Sequence, residues 1–150
     1  MNKKIIIIIV VVLVIIALTL RSQLNFSKPS EIKTEKQAIY DIFNNFPKSN
    51  MIYYITQNKY TPFSVGPTIY QIYILAELTD DTYNAFINQI EFEKLDNFEI
   101  KINPKNIKYN WKKIKNVNII ESKDEEVASI QSIYLDENTK TIYIIAIGGN

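Results

Sequence analysis

The sequence predicts an α+β fold: an N-terminal membrane helix followed by a small antiparallel sheet with two helices packed on one face. Three observations carry that expectation. A sixteen-residue apolar run opens the chain. Two later stretches repeat their apolar residues at helical spacing. The other patterned stretches are short, β-branched or aromatic, and follow one another across short links, as strands of an antiparallel sheet do.

The apolar run covers residues 5–20, opening on Ile5 and closing on Leu20, with Thr19 its single polar member. Lys3 and Lys4 precede it and Arg21 follows it. As a helix it spans about 24 Å, against about 30 Å of bilayer hydrocarbon, and its basic flanks can snorkel outward. Fourteen of its residues are Ile, Val or Leu, which favours insertion by on the order of 5 kcal/mol. The basic start favours an N-terminus inside. Residues 1–21 are therefore expected to form a signal-anchor, 22–33 a polar linker broken by Pro29, and 34–150 an extracytoplasmic domain. The protein is then single-pass in the cytoplasmic membrane, with its C-terminal domain periplasmic or extracellular. Secretion after signal cleavage is the alternative, although Ala17 with Thr19 or Leu20 with Ser22 make poor cleavage sites.

Within the domain, residues 34–46 predict a helix. Ala38, Ile39, Ile42, Phe43 and Phe46 form one stripe, Thr34 with Gln37 suits a capping box, and Pro47 stops it. Residues 51–56 (MIYYIT) predict a strand, and 57–67, with two prolines and a glycine, a loop. Residues 68–78 predict a long strand. Its even positions from Tyr70 to Leu78 are apolar, and its odd positions mix Ile69, Gln71, Tyr73, Leu75 and Glu77. Residues 79–92 predict the second helix, with Thr79 as N-cap, Asp80 and Asp81 at the positive end of the dipole, and Tyr83, Phe86, Ile87 and Ile90 on one face. Residues 97–103 alternate as a half-buried strand. Residues 105–116 are basic without a firm period, with room for a short helical turn. Strands are expected at 117–120, 127–135 and 141–147, the last two joined as a hairpin, and 148–150 as a tail.

Composition excludes several chemistries. The chain has 150 residues with no His and no Cys. It can build neither a disulfide nor a zinc site of His or Cys ligands, nor catalysis by a His base or Cys nucleophile. Three glycines are too few for a phosphate-cradling loop. Neither a cofactor nor a metal is expected. Without Lys3, Lys4 and Arg21, the 17 basic residues fall to 14 against 16 acidic ones. This balance argues against a nucleic-acid partner.

Carboxylates are the main acid–base groups left. Asp80 and Asp81 are explained by helix capping, Asp136 and Glu137 by a turn, and the 121–126 run (ESKDEE) lacks an apolar residue to bury it. No catalytic residue is assigned. The charge is blocked, however. Residues 77–99 carry seven acids against Lys94, and 101–115 carry six lysines and no acid. Tyr109 and Trp111, the only Trp, sit inside the basic block. A binding surface is therefore expected from Lys105, Lys108, Tyr109, Trp111, Lys112 and Lys113, with Tyr60 and Phe63 of the proline-stiffened loop. The expected role is a membrane-anchored binding domain with a protein partner and the membrane, through 5–20, as its contacts. An immunity-type or envelope accessory protein fits that description. A carboxylate-dependent envelope hydrolase or a structural subunit of a membrane complex is the alternative.

Overall fold

The computed structural model describes residues 10–15, 28–59, 69–95, 97, 99–124 and 127–149. Six strands make one antiparallel sheet: β1 (Ser49–Lys59), β2 (Ile69–Leu78), β3 (Phe92–Glu93), β4 (Lys112–Ile114), β5 (Ala128–Asp136) and β6 (Thr141–Gly149). Their spatial order is β1-β2-β6-β5-β4-β3. Helices α1 (Lys36–Ile42) and α2 (Asp80–Ile87) and a 3₁₀ turn (Val117–Ile119) accompany the sheet in a small α+β domain with few helices.

The C-terminal strand β6 is central, paired with β2 on one side and β5 on the other. Residues Thr141 to Ile144 are all buried, so β6 reads as a continuous apolar run with both faces covered. Its even positions Ile142, Ile144 and Ala146 join Ile72, Ile74 and Ala76 of β2 in the larger core. Both helices lie on this face. α1 delivers Ile39, the turn after it delivers Phe43 and Phe46, and α2 packs Tyr83, Phe86 and Ile87 against the same core. The odd positions Tyr143, Tyr73 and Leu75 face the other way into a second, aromatic core. The alternation read in residues 68–78 thus sorts β2 between two buried faces.

β5 keeps its phase by a bulge. Its register with β6 shifts between Ile130 and Ser132, leaving Gln131 as the extra residue. Ile130 before the bulge and Ile133 and Leu135 after it therefore face the same core despite their opposite parity. The β5–β6 hairpin turns through residues 137–140, with Lys140 in the left-handed region (φ 52°). Asp136 Oδ1 accepts from the backbone N–H of Asn138 (2.8 Å) and Thr139 (3.1 Å) and closes that turn.

Several expected elements differ. Of residues 97–103, Phe98 lies outside the described residues and the others do not pair as a strand, although Ile100 and Ile102 do pack on the aromatic core. The residues that pair instead are Phe92–Glu93 with Lys113 and Ile114, so α2 stops at Ile87 rather than reaching residue 92. Of residues 117–120, expected as a strand, Val117–Ile119 form the 3₁₀ turn, with Asn116 Oδ1 accepting from Asn118 N–H at 3.0 Å. The basic stretch supplies strand β4 rather than a helical turn. Residues 148–149, read as tail, continue β6. The Thr34–Gln37 capping box does not form: Glu35 occupies the N-cap without a side-chain cap bond, and α1 is seven residues long. Lys33 is bridged to Tyr54, which keeps the next residues extended, and Phe43 is bridged to Ser122, which ends the helix early. Thr79 caps α2 as expected, accepting from Thr82 N–H at 3.3 Å.

Residues 28–33, within the stretch expected as linker, run along the outer edge of β1. Ser30 N–H donates to Thr56 O and Lys33 N–H to Tyr54 O, both at 2.9 Å. Lys36 Nζ donates to the carbonyls of Ser49 (3.1 Å) and Asn50 (2.5 Å). The edge is thereby capped by a short strap and a lysine, two devices that stop a sheet from recruiting another strand.

Of the expected membrane helix, residues 1–9 and 16–21 lie outside the described residues; residues 10–15 are helical. Among the described residues no helix is long and apolar enough to cross a membrane. The fold therefore supports the α+β sheet and does not itself support the N-terminal membrane helix.

Candidate functional site

The segment between β3 and β4 crosses the sheet face opposite the helices. Asn103 folds it back: its Nδ2 donates to Ile107 O (2.9 Å) and its Oδ1 accepts from Ile107 N–H (3.0 Å). Asn106 sits in the left-handed region at φ 51°, where Asn is tolerated better than most residues. Two bonds then pin the segment to the sheet. Lys101 N–H donates to Tyr143 Oη at 2.9 Å, and Asn110 N–H donates to Asp136 Oδ2 at 2.6 Å.

This routing places Tyr109 and Trp111 over the aromatic core. Being two apart in an extended stretch, they point to the same side. Their rings stack at 4.6 Å, and Trp111 lies 5.9 Å from Tyr143. Tyr143 in turn neighbours Tyr73 at 6.5 Å and Tyr134 at 6.4 Å. Tyr143 is fully buried, while Tyr53, Tyr109 and Trp111 are half-buried at the outer rim. Burial raises the Tyr143 hydroxyl far above the ordinary tyrosine range; burial likewise raises Tyr73 and Tyr109. All three are neutral at physiological pH. Tyr73 Oη donates to Gln71 Oε1 at 2.7 Å.

The basic and acidic blocks meet within the molecule. Lys101 pairs with Glu99 (2.6 Å), Lys105 with Glu77 (2.6 Å), Lys113 with Glu93 (2.9 Å) and Lys115 with Glu91 (2.9 Å). Lys112 pairs with Glu137 and also lies over the Phe92 ring, 5.1 Å from its centre. Lys108 is exposed and has no ion pair among the described residues. Each surface pair adds little stability. Together they compensate five of the six clustered lysines and remove most of the potential that the cluster would otherwise project. What is left on this face is an aromatic surface with a compensated rim, rather than an electropositive patch.

The structure therefore brings Lys105, Tyr109, Trp111 and Lys113 onto or beside the aromatic face, Lys113 lying opposite Tyr134, whereas Lys112 lies opposite Leu135 and belongs to the helix side of the sheet; Lys108 is exposed nearby in sequence. Tyr60 and Phe63 lie outside the described residues. Sequence reasoning missed Tyr53, Tyr73 and Tyr143 as members of the face. The signal for Tyr73 and Tyr143 was the odd-position parity of 68–78 and 141–147, overshadowed by the apolar even positions. Glu77 as the partner of Lys105 has no sequence signal, since the two come together only through the fold.

Asp136 and Asp80 have structural partners. Asp136 is 1 % exposed and accepts three backbone N–H bonds, from Asn110, Asn138 and Thr139. Asp80 pairs with Lys140 at 2.6 Å. Among the described residues no group of three acids is gathered closely enough to hold a metal ion.

Fold and face together define a small α+β domain whose antiparallel sheet carries helices on one side and an aromatic surface on the other. Compared with known proteins, the chain matches no family model, no curated protein and no solved structure.

Proposed function

We propose that this chain is a membrane-anchored binding domain. Residues 5–20 hold it in the cytoplasmic membrane, the sheet domain lies outside, and the Tyr109–Trp111 face receives a protein partner. The observation that carries this reading is residues 10–15. Each of these six apolar residues is between 47 and 58 % exposed. At about 100° of turn per residue, six consecutive positions cover every side of a helix. Every side of this stretch is therefore about half exposed. An apolar helix bare all round is stable in lipid, not in water. The half-buried aromatic pair supports the binding half, because Tyr and Trp combine large contact area with little conformational entropy to lose.

The test exploits the absence of cysteine. Ser129→Cys, at an exposed serine, should react in intact cells with a membrane-impermeant maleimide, and the labelled full-length chain should resist extraction from membranes by alkaline carbonate. Recovery of intact, unlabelled protein in the soluble fraction refutes the reading. A photo-cross-linking amino acid in place of Lys108 should yield a discrete adduct, and its absence discards the binding half.

A further inference from the structure

We propose that the groove between α1 and the β1–β2 pair seats an acyl chain of a membrane lipid. The proposal rests on the anchored reading above. The groove has a volume of about 380 Å³, within the range of small-ligand sites. Ala38 and Ile42 form its helix wall, Tyr54, Tyr70 and Ile72 its sheet side, and Thr56 is among its few polar members. No charged side chain lines it among the described residues. Whatever it buries is therefore uncharged and apolar, since an unpaired charge would lose its hydration there without a partner.

The tether identifies the occupant. The chain arrives on the domain at this groove: Ser30 N–H donates to Thr56 O (2.9 Å), and Thr56 N–H donates to Ser30 Oγ (3.0 Å). Nine residues lie between Leu20, the end of the apolar run, and Ser30. Fully extended, the ten steps from one to the other span at most about 35 Å. The groove is thus held within that distance of the bilayer surface by its own rim, while the aromatic face is on the other side of the sheet. A lipid tail is the apolar ligand present there at the highest local concentration.

The experiment uses the full chain in vesicles of phosphatidylcholine and phosphatidylglycerol that carry a phosphatidylcholine with a diazirine in its tail. After photolysis, adducts are expected on 5–20 and also on peptides containing Ile42, Tyr54 and Tyr70. Ala38→Trp should reduce the groove adducts by about tenfold, because an indole fills the site, and should leave those on 5–20 unchanged. Thr56→Trp repeats the test from a strand position that tolerates aromatics, should the helix variant not fold. Adducts on 5–20 alone, as a protein occupant of the groove would leave, overturn the acyl seat. Groove adducts that persist in both Trp variants overturn it as well. Adducts on neither region overturn the anchoring itself.

Discussion

Gly148 is buried in the central strand, and the Tyr70 ring lies directly against it. Its φ is not positive, so the position needs glycine for space alone. A Cβ added there would fall far inside contact distance of Cζ, Cε2 and Oη of Tyr70, against about 3.5–4.0 Å for ordinary carbon contacts. These atoms are the far end of a side chain, so the ring swings out rather than the sheet breaking. In doing so it gives up its hydrogen bond to Val127 O (3.3 Å) and the buried half of its surface. Half of a tyrosine's contact area is about 100 Å², or roughly 2.5 kcal/mol at 25 cal/mol per Å². Alanine returns about 0.5–1 kcal/mol relative to glycine within a strand. Gly148→Ala should therefore destabilise the domain by about 1–2 kcal/mol.

The informative measurement is the same change in a Tyr70→Ala background. With the ring gone, only the backbone gain remains, and Gly148→Ala should stabilise by about 0.5 kcal/mol. Urea unfolding followed by Trp111 fluorescence reads both backgrounds, the probe being on the opposite face of the sheet. An equal loss in the two backgrounds would show that something other than Tyr70 closes the space, and would refute the argument.

Asp136→Ala leaves the N–H groups of Asn110, Asn138 and Thr139 without their acceptor and should cost about 3 kcal/mol in chemical denaturation, whereas Asp136→Asn should cost less than half of that. Trp111→Ala should lower stability by about 2–3 kcal/mol in thermal melts, because it removes the stack on Tyr109 and the contact with Tyr143. Trp111→Phe should retain most of that stability. Alkali should unfold the domain. Tyr143, Tyr73 and Tyr109 are raised by burial, and Tyr54 by burial and then by Glu35, so their contribution is intact below the unfolded value near 10 and is lost as pH rises through the native values. Lys105 and Lys115, raised by their hydrogen bonds to Glu77 and Glu91, act in the same direction. Melting temperature should therefore fall with pH above about 10, more shallowly in Tyr143→Phe, and a flat profile there would contradict the burial of these phenols.

The residue pattern determined the class of fold and most of its long elements. Residues 70–78 are apolar at every even position, and a period of two survives into any sheet because it follows from the pleat. Thr79 with Asp80 and Asp81 marks a helix start whatever the helix later packs on, since capping is local. The 105–115 segment was legible as a chemical composition but not as a surface. Whether its lysines project a field depends on where Glu77, Glu91, Glu93 and Glu99 lie, and those distances are set by strand order. Strand order also decided that Phe92 and Glu93, rather than 97–103, meet β4, and that 28–33 straps an edge instead of hanging free. It seated Tyr70 on a glycine that sequence alone assigns to a tail. Periodicity and caps are short-range properties written along the chain, whereas charge compensation, edge protection and the space above Gly148 arise between residues that only folding brings together.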